Sequence, residues 1–294
     1  MTETKGTFET GKIYYPEDNA SVYKMTETQL FKHFGSILSK EFANSTEMNQ
    51  YIESQKSTEQ IELQTKVLDA FNANCRELGY PTTLTKSDMN FIIFLPPKKI
   101  EEIYAQQNPL YKIAREETRE LVSATVLKSG VILMSDEGGK TLGRSLSATL
   151  AHEFGHLHRE KIGKSELAEH EIEEGIVEVN AEQVYKKMGI ESVGTYLFES
   201  LLVKSLYKKF NMKSAMGMSF EDIKKVAEQY YPGSQDGHPD FVWLIEDYLD
   251  VMHVINRNSM LISHTKDENS SHKYHVEMAE QIYTFSTKWG LEIL

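Results

Sequence analysis

Two histidines four residues apart, with a glutamate directly after the first, form the segment of this chain with the most specific chemistry. His152, Glu153 and His156 stand in the pattern H-E-x-x-H, within the apolar run 146–157. Because positions i and i+4 share one face of an α-helix, both imidazoles can bind one metal ion. Glu153 can then take a proton from a water molecule on that metal. The segment therefore predicts a metal-dependent hydrolase that uses zinc.

Apolar side chains recur at helical spacing around this motif, which predicts a buried helix. They are Leu146, Leu150, Phe154 and Leu157. Buried imidazole and carboxylate groups need polar partners, because burying them unpaired is costly. A metal ion with a bound water supplies such partners. The alternative interpretation is an ordinary helix with two surface histidines, which the apolar spacing disfavours.

A catalytic zinc usually has three protein ligands and an open position for water, so a third ligand is needed. The extended pattern H-E-x-x-H-x-x-G-x-x-H is excluded, because Arg159 and Ile162 occupy its glycine and histidine positions. Cys75 does not lie in the glycine-containing cysteine motif of peptide deformylases. The remaining class of site takes a glutamate from the next helix.

The next predicted helix, 166–188, carries Glu174, Glu178 and Glu182 at intervals of four, so they share one broad face. Three like charges on one face are mutually unfavourable unless something cationic lies opposite. A solvated acidic face is the usual interpretation of such a charge run. The upstream histidine motif favours a metal instead.

The motif followed by Glu178-Val-Asn-Ala-Glu182 resembles the gluzincins, zinc peptidases that pair H-E-x-x-H with a downstream E-x-x-A-[DE] segment. The resemblance implies one zinc ion per chain, with His152, His156 and Glu178 as ligands. It also implies that Glu182, in the place usually held by Asp, hydrogen-bonds and orients a ligand histidine. Glu174 is the rival ligand if the helix is rotated.

Two further segments are similar to those of zinc peptidases, and the whole resemblance covers about residues 118–250. Residues 130–135 and 144–151 are similar to the strand-to-helix connection of peptidases that cleave immunity repressors of mobile elements. The gluzincin resemblance implies that the strand 131–135 edges the cleft and pairs with an extended substrate. The alternative is an ordinary strand with no substrate contact. His238-Pro239 and Ile245 match part of a His-Pro-x-x-x-x-Arg-Ile segment, with Leu244 at the arginine position.

The tetrahedral oxyanion of peptide hydrolysis needs a second hydrogen-bond donor, normally a His or Tyr from the C-terminal half. His238 is the first candidate for this catalytic role, because a Gly-His-Pro turn fixes a side chain at the start of a helix. The alternative for His238 is a surface or helix-capping role. His253 is the second candidate donor.

Composition limits the class of protein. Hydrophobic residues make up 40% and charged residues 26% of the 294 positions, as in a soluble globular protein. The net charge of −12 argues against general nucleic-acid binding and against an anionic membrane surface. One cysteine allows no intramolecular disulfide, and no apolar signal or membrane-spanning segment is present. We therefore expect a cytoplasmic protein with no nucleic-acid or membrane partner. Export by a route without a cleaved signal stays open as an alternative. The sequence does not indicate an oligomeric state.

The order of predicted elements indicates an α+β protein. We expect a mobile arm at 1–25, a helical N-terminal region at 26–82 and a zincin-like metallopeptidase domain at 83–294. Within that domain, 83–160 should hold a small mixed sheet and the active-site helix, and 161–294 a helical C-terminal half. Predicted N-terminal helices are 26–42 and 45–78, and predicted strands are 89–95, 119–127 and 130–135, the last two joined by a hairpin turn.

The leading functional hypothesis is a zinc endopeptidase that cleaves a protein or peptide substrate, with Glu153 as general base. Another zinc hydrolase, such as an aminopeptidase or a deformylase-like enzyme, is the first alternative. A metal-bound regulatory protein without turnover is the second, although the intact Glu153 argues against it.

Overall fold

The computed structural model describes residues 24–107, 124–127, 129–135, 145–164, 170–190, 196–230, 240–264 and 268–292. The helices in these ranges are α1 Glu27–Leu38, α2 Ser45–Ser54, α3 Thr58–Leu78, α4 Pro97–Gln107, α5 Leu146–Lys161, α6 His170–Lys187, α7 Leu197–Lys209, α8 Phe220–Ala227, α9 Asp240–His264 and α10 Glu268–Trp289. The strands are β1 Ile92–Leu95, β2 Ala124–Val126 and β3 Ile132–Ser135. This mostly helical chain with a small mixed sheet confirms the α+β prediction. The predicted arm lies outside the described residues, except for Lys24 and Met25.

The three described strands form one sheet in the order β1-β3-β2. Strand β3 pairs with β1 in parallel, with Ile92 opposite Ile132, and with β2 in antiparallel fashion, with Thr125 opposite Leu133. The predicted hairpin between β2 and β3 is confirmed. Gly130 adopts a φ of 83° in its turn, a conformation that residues with a side chain rarely adopt.

The N-terminal helices share a hydrophobic core with the sheet. Helix α1 contributes Phe34 and Ile37, α2 contributes Met48 and Ile52, and these pack with residues of β1, β3 and α4. The buried His33 of α1 also lies 2.7 Å, Nε2 to Oγ, from Ser129 in the hairpin turn. Apolar burial and this polar contact together hold α1 against the sheet.

The chain divides into two compact units. Met1–Gly163 with Asn180–Thr195 forms one, and Lys164–Val179 with Tyr196–Leu294 forms the other. The first unit contains α1–α5 and the sheet, so the predicted N-terminal helical region lies in the same unit as the helix with the H-E-x-x-H motif. In the second unit, α9 and α10 pack against each other, and the indole of Trp289 donates to Asp247 at 2.7 Å.

Several sequence-based boundaries differ from the structure. The helix predicted for 26–42 ends at Leu38, and the strand predicted for 130–135 begins at Ile132. The single helix predicted for 45–78 is wrong, because α2 ends at Ser54 and α3 begins at Thr58. Ser57 and Gln60 form a capping box that starts the new helix. The strand predicted for 89–95 begins at Ile92, because a 3-10 helix occupies Lys86–Phe91.

None of the described helices is both long enough and apolar enough to span a membrane.

Candidate metal centre

Helix α5 presents the H-E-x-x-H motif from a buried position. Ser145 caps its N-terminus, since the Ser145 side chain accepts a hydrogen bond of 3.2 Å from the backbone N–H of Ala148. Leu150, Phe154 and Leu157 are fully or almost fully buried, as the helical spacing predicts. His152 is 3% exposed and Glu153 is 7% exposed, whereas His156 is partly exposed. The local sequence therefore places polar groups in the interior of the protein.

The two imidazoles of the motif face each other. Their Nε2 atoms lie 3.1 Å apart, and the ring centroids lie 4.9 Å apart with a 73° angle between the ring planes. Zinc–nitrogen bonds of about 2.0–2.1 Å in a tetrahedral site put two ligand nitrogens roughly 3.3 Å apart. The observed separation therefore fits two ligands of one ion.

A carboxylate from α6 completes a possible ligand set. One ligand atom from each of His152, His156 and Glu174 lies within 4.8 Å of the other two, and Glu174 is 5% exposed. Two histidines and one glutamate are a known ligand set of catalytic zinc sites. The donor types and their spacing therefore fit a zinc ion.

Glu178, which the gluzincin resemblance makes the third ligand, lies one helical turn beyond Glu174. Its side chain is completely buried, at 0% exposure, but it is not a member of the group of three ligand atoms. Glu182, one turn further, is partly buried and lies 3.8 Å from the Lys186 ammonium. The structure thus brings together the two histidines with the rival ligand, and the assignment of Glu178 as a ligand stays a prediction.

The C-terminal turn of α5 is held by contacts that the sequence did not reveal. His158 is buried, and its Nδ1 lies 2.7 Å from the Thr83 hydroxyl. Burial, and secondarily the charges of Arg159 and Lys161, lowers the pKa of His158 to about 4. Lys161 donates to the backbone oxygen of Thr83 at 2.8 Å and to both carboxylate oxygens of Asp88 at 2.9 Å. These bonds tie the end of α5 to the segment before β1.

The remaining predictions concern the two candidate oxyanion donors and the strand expected to bind substrate. His238 lies outside the described residues, and His253 is exposed on α9. The prediction that an extended substrate pairs with the strand 131–135 is wrong, because β3 is the central strand and both of its sides are hydrogen-bonded to other strands. Residue spacing along the chain does not indicate which strand of a sheet is central.

No family model, no curated protein and no solved structure matches this chain.

Proposed function

We propose that this protein is a zinc-dependent peptidase with a zincin-like catalytic centre. The observation that carries the proposal is the 3.1 Å separation of the His152 and His156 Nε2 atoms on a buried helix. Glu153 lies between them in the sequence, where a general base is needed. The substrate would be a protein or a peptide cleaved at an internal bond.

Each residue of the centre has a role in this proposal. His152, His156 and Glu174 would hold the ion. When bound, zinc would lower the pKa of a water molecule and polarise the scissile carbonyl. Glu153 would accept a proton from the attacking water and deliver it to the leaving amine.

Glu178 would then act as a positioning residue. In the gluzincin resemblance, the second acid follows the ligand glutamate by four residues. If Glu174 is the ligand, Glu178 occupies this place, and its complete burial supports a partner inside the protein. A carboxylate that accepts a hydrogen bond from a ligand imidazole fixes its tautomer and its orientation. His238 remains the proposed donor to the oxyanion.

Zinc content of the purified, untagged chain tests the ligand set. We expect about one zinc per wild-type chain, and loss of that zinc in Glu174→Gln because a ligand is removed. Glu178→Gln should retain the site but weaken zinc binding by about 10- to 100-fold. Glu182→Gln is the matched control and should bind zinc like the wild type.

The reverse pattern, with zinc retained in Glu174→Gln and lost in Glu178→Gln, would make Glu178 the ligand. A wild-type chain that takes up no zinc even after reconstitution would contradict the proposed function.

The variant Glu153→Gln tests the chemistry separately from metal binding. We expect a full zinc content and at least about a 100-fold loss of cleavage, because the general base is removed and the ligands remain. New N-termini in a proteome incubated with wild type or with Glu153→Gln would identify the bonds that are cut. Cleavage that persists in this variant would exclude Glu153 as the base.

A further inference from the structure

Helix α3 carries a buried asparagine that bonds to α6. The Asn74 side-chain Nδ2 donates to Asn180 Oδ1 at 2.8 Å and to Gln183 Oε1 at 3.2 Å. One turn further along both helices, Glu77 and Lys187 form an ion pair. These residues all lie in the first compact unit. Helix α3 therefore contacts the C-terminal half of α6 at two successive turns, through Asn74 and Glu77.

The same helix contacts α5 one turn earlier. The Phe71 ring lies 6.0 Å, centroid to centroid, from Phe154 and 5.7 Å from His158, with both pairs in edge-to-face geometry. Phe154 directly follows Glu153 in the chain. Since Phe71 and Asn74 are three residues apart, they lie on adjacent parts of one side of α3. Helix α3 therefore contacts both of the helices that carry the proposed ligands.

The contact between the Asn74 and Asn180 side chains stabilises the fold less than an apolar contact of similar size would. The Asn180 Nδ2 atom is buried and has no hydrogen-bond acceptor among the residues that the structure describes. A buried donor without an acceptor destabilises the folded state. Apolar side chains of similar size would avoid this penalty. A polar contact between helices does, however, fix their register, as a single buried asparagine does in a coiled coil.

We propose that Asn74 is a positioning residue for the metal centre, because its amide fixes α6 along the helix axis. This inference rests on the proposed zinc site. Helix α6 is continuous from His170 to Lys187, so Asn180 and Glu174 move together. Glu174 and Glu178 are separated by about 6 Å along the axis, at about 1.5 Å per residue. The axial position of α6 therefore selects which glutamate reaches the histidines.

Zinc affinity and the visible spectrum of the cobalt-substituted, full-length chain test this inference. We expect Asn74→Ala to weaken zinc binding by about tenfold or more, as for other residues that orient metal ligands. The cobalt spectrum should also change, because it reports the ligands and their geometry. Asn72→Ala is the matched control, since the Asn72 amide donates to the backbone oxygen of Leu84 at 3.0 Å instead of to α6. This control should retain wild-type affinity and spectrum.

A variant with leucine at both amide positions separates positioning from stability. Asn74→Leu combined with Asn180→Leu should have a denaturation midpoint at or above that of the wild type, because the unsatisfied donor is removed. It should nevertheless bind zinc about tenfold more weakly or worse. Wild-type zinc affinity in this variant would overturn the inference.

Hydrogen exchange in the metal-free chain distinguishes the two proposals. The backbone amide hydrogens of α6 should exchange faster in Asn74→Ala than in the wild type. In Asn72→Ala they should exchange at the wild-type rate. If the wild type binds one zinc and Asn74→Ala binds it as tightly as Asn72→Ala, the positioning role is wrong and the zinc site stands. If the wild type binds neither zinc nor cobalt, the proposed function fails, and unchanged exchange in α6 would overturn the positioning of α6 as well.

Discussion

At the residue scale, the pair of imidazoles is the most specific observation. Two Nε2 atoms 3.1 Å apart can share one hydrogen between the rings, or both can direct lone pairs at one ion. The nearby Glu174 carboxylate favours the proposed ion, because it would supply a third ligand with the charge that a zinc site needs. A measurement of zinc content therefore distinguishes a hydrogen shared by the two rings from a metal ion bound by both.

The buried thiol of Cys75 gives a prediction about reactivity. Burial raises its pKa to about 11, so the folded chain keeps the thiol protonated where the unfolded chain, with a pKa of about 8.5, ionises. Because the thiolate is the reactive form, alkylation at pH 8.5 should be roughly 100-fold slower or more in the folded chain. The rate of iodoacetamide labelling, with and without denaturant, measures this difference.

The raised pKa of Cys75 also makes the folding stability of the chain depend on pH. Between about pH 8.5 and pH 11 the folded state binds more protons than the unfolded state at Cys75. The contribution of this thiol to folding stability is therefore present below that range and is lost as the pH rises through it. A Cys75→Ala variant serves as the control, and equal pH dependence of the two chains would contradict the assigned cause.

At the element scale, local patterns predicted which segments are helices or strands better than they predicted where each element begins and ends. Helix α5 follows from its apolar spacing and the Ser145 cap, both of which act within one segment. The residues Met89–Phe91 belong to a run with β-type composition, yet they form part of a 3-10 helix. A capping interaction of Thr85 with Asp88 starts that helix, and such local hydrogen bonds compete with strand formation.

Gly175 allows α6 and α7 to pack closely in the second unit. A methyl group at this position would overlap the backbone oxygen of Glu199 and lie 2.7 Å from Cγ2 of Val203. We therefore expect Gly175→Ala to destabilise the chain by about 1–3 kcal/mol, although alanine usually favours a helix. Chemical denaturation measures the change.

Shortening the neighbouring side chain provides the control for this prediction. Val203→Ala removes one of the overlapping atoms but leaves the backbone oxygen of Glu199 in place. The combined variant should therefore remain less stable than Val203→Ala alone. A stabilised Gly175→Ala chain would show that α6 and α7 do not pack this closely.

At the scale of the whole molecule, the proposed metal links segments that are separate in the chain. An ion that binds only the folded state stabilises it by mass action, by about 2.7 kcal/mol when free zinc is 100 times the Kd. We expect removal of zinc by a chelator to lower the thermal midpoint by roughly 5 °C. Differential scanning calorimetry measures the shift.

The variant Glu174→Gln is the control for this experiment. Because it lacks a proposed ligand, its thermal midpoint should not respond to zinc or to the chelator. An equal chelator effect on both chains would mean that the ion stabilises the protein from another site.

Local sequence is enough to predict that His152 and His156 converge, because side chains four apart on a helix share a face whatever surrounds them. It also limits the proposed third ligand to the glutamates of the next helix. The packing of the elements, which the sequence does not reveal, places Glu174 with the histidines and makes β3 the central strand. Both depend on how one element is placed against another, and a shift of one helical turn leaves the local pattern of α6 unchanged.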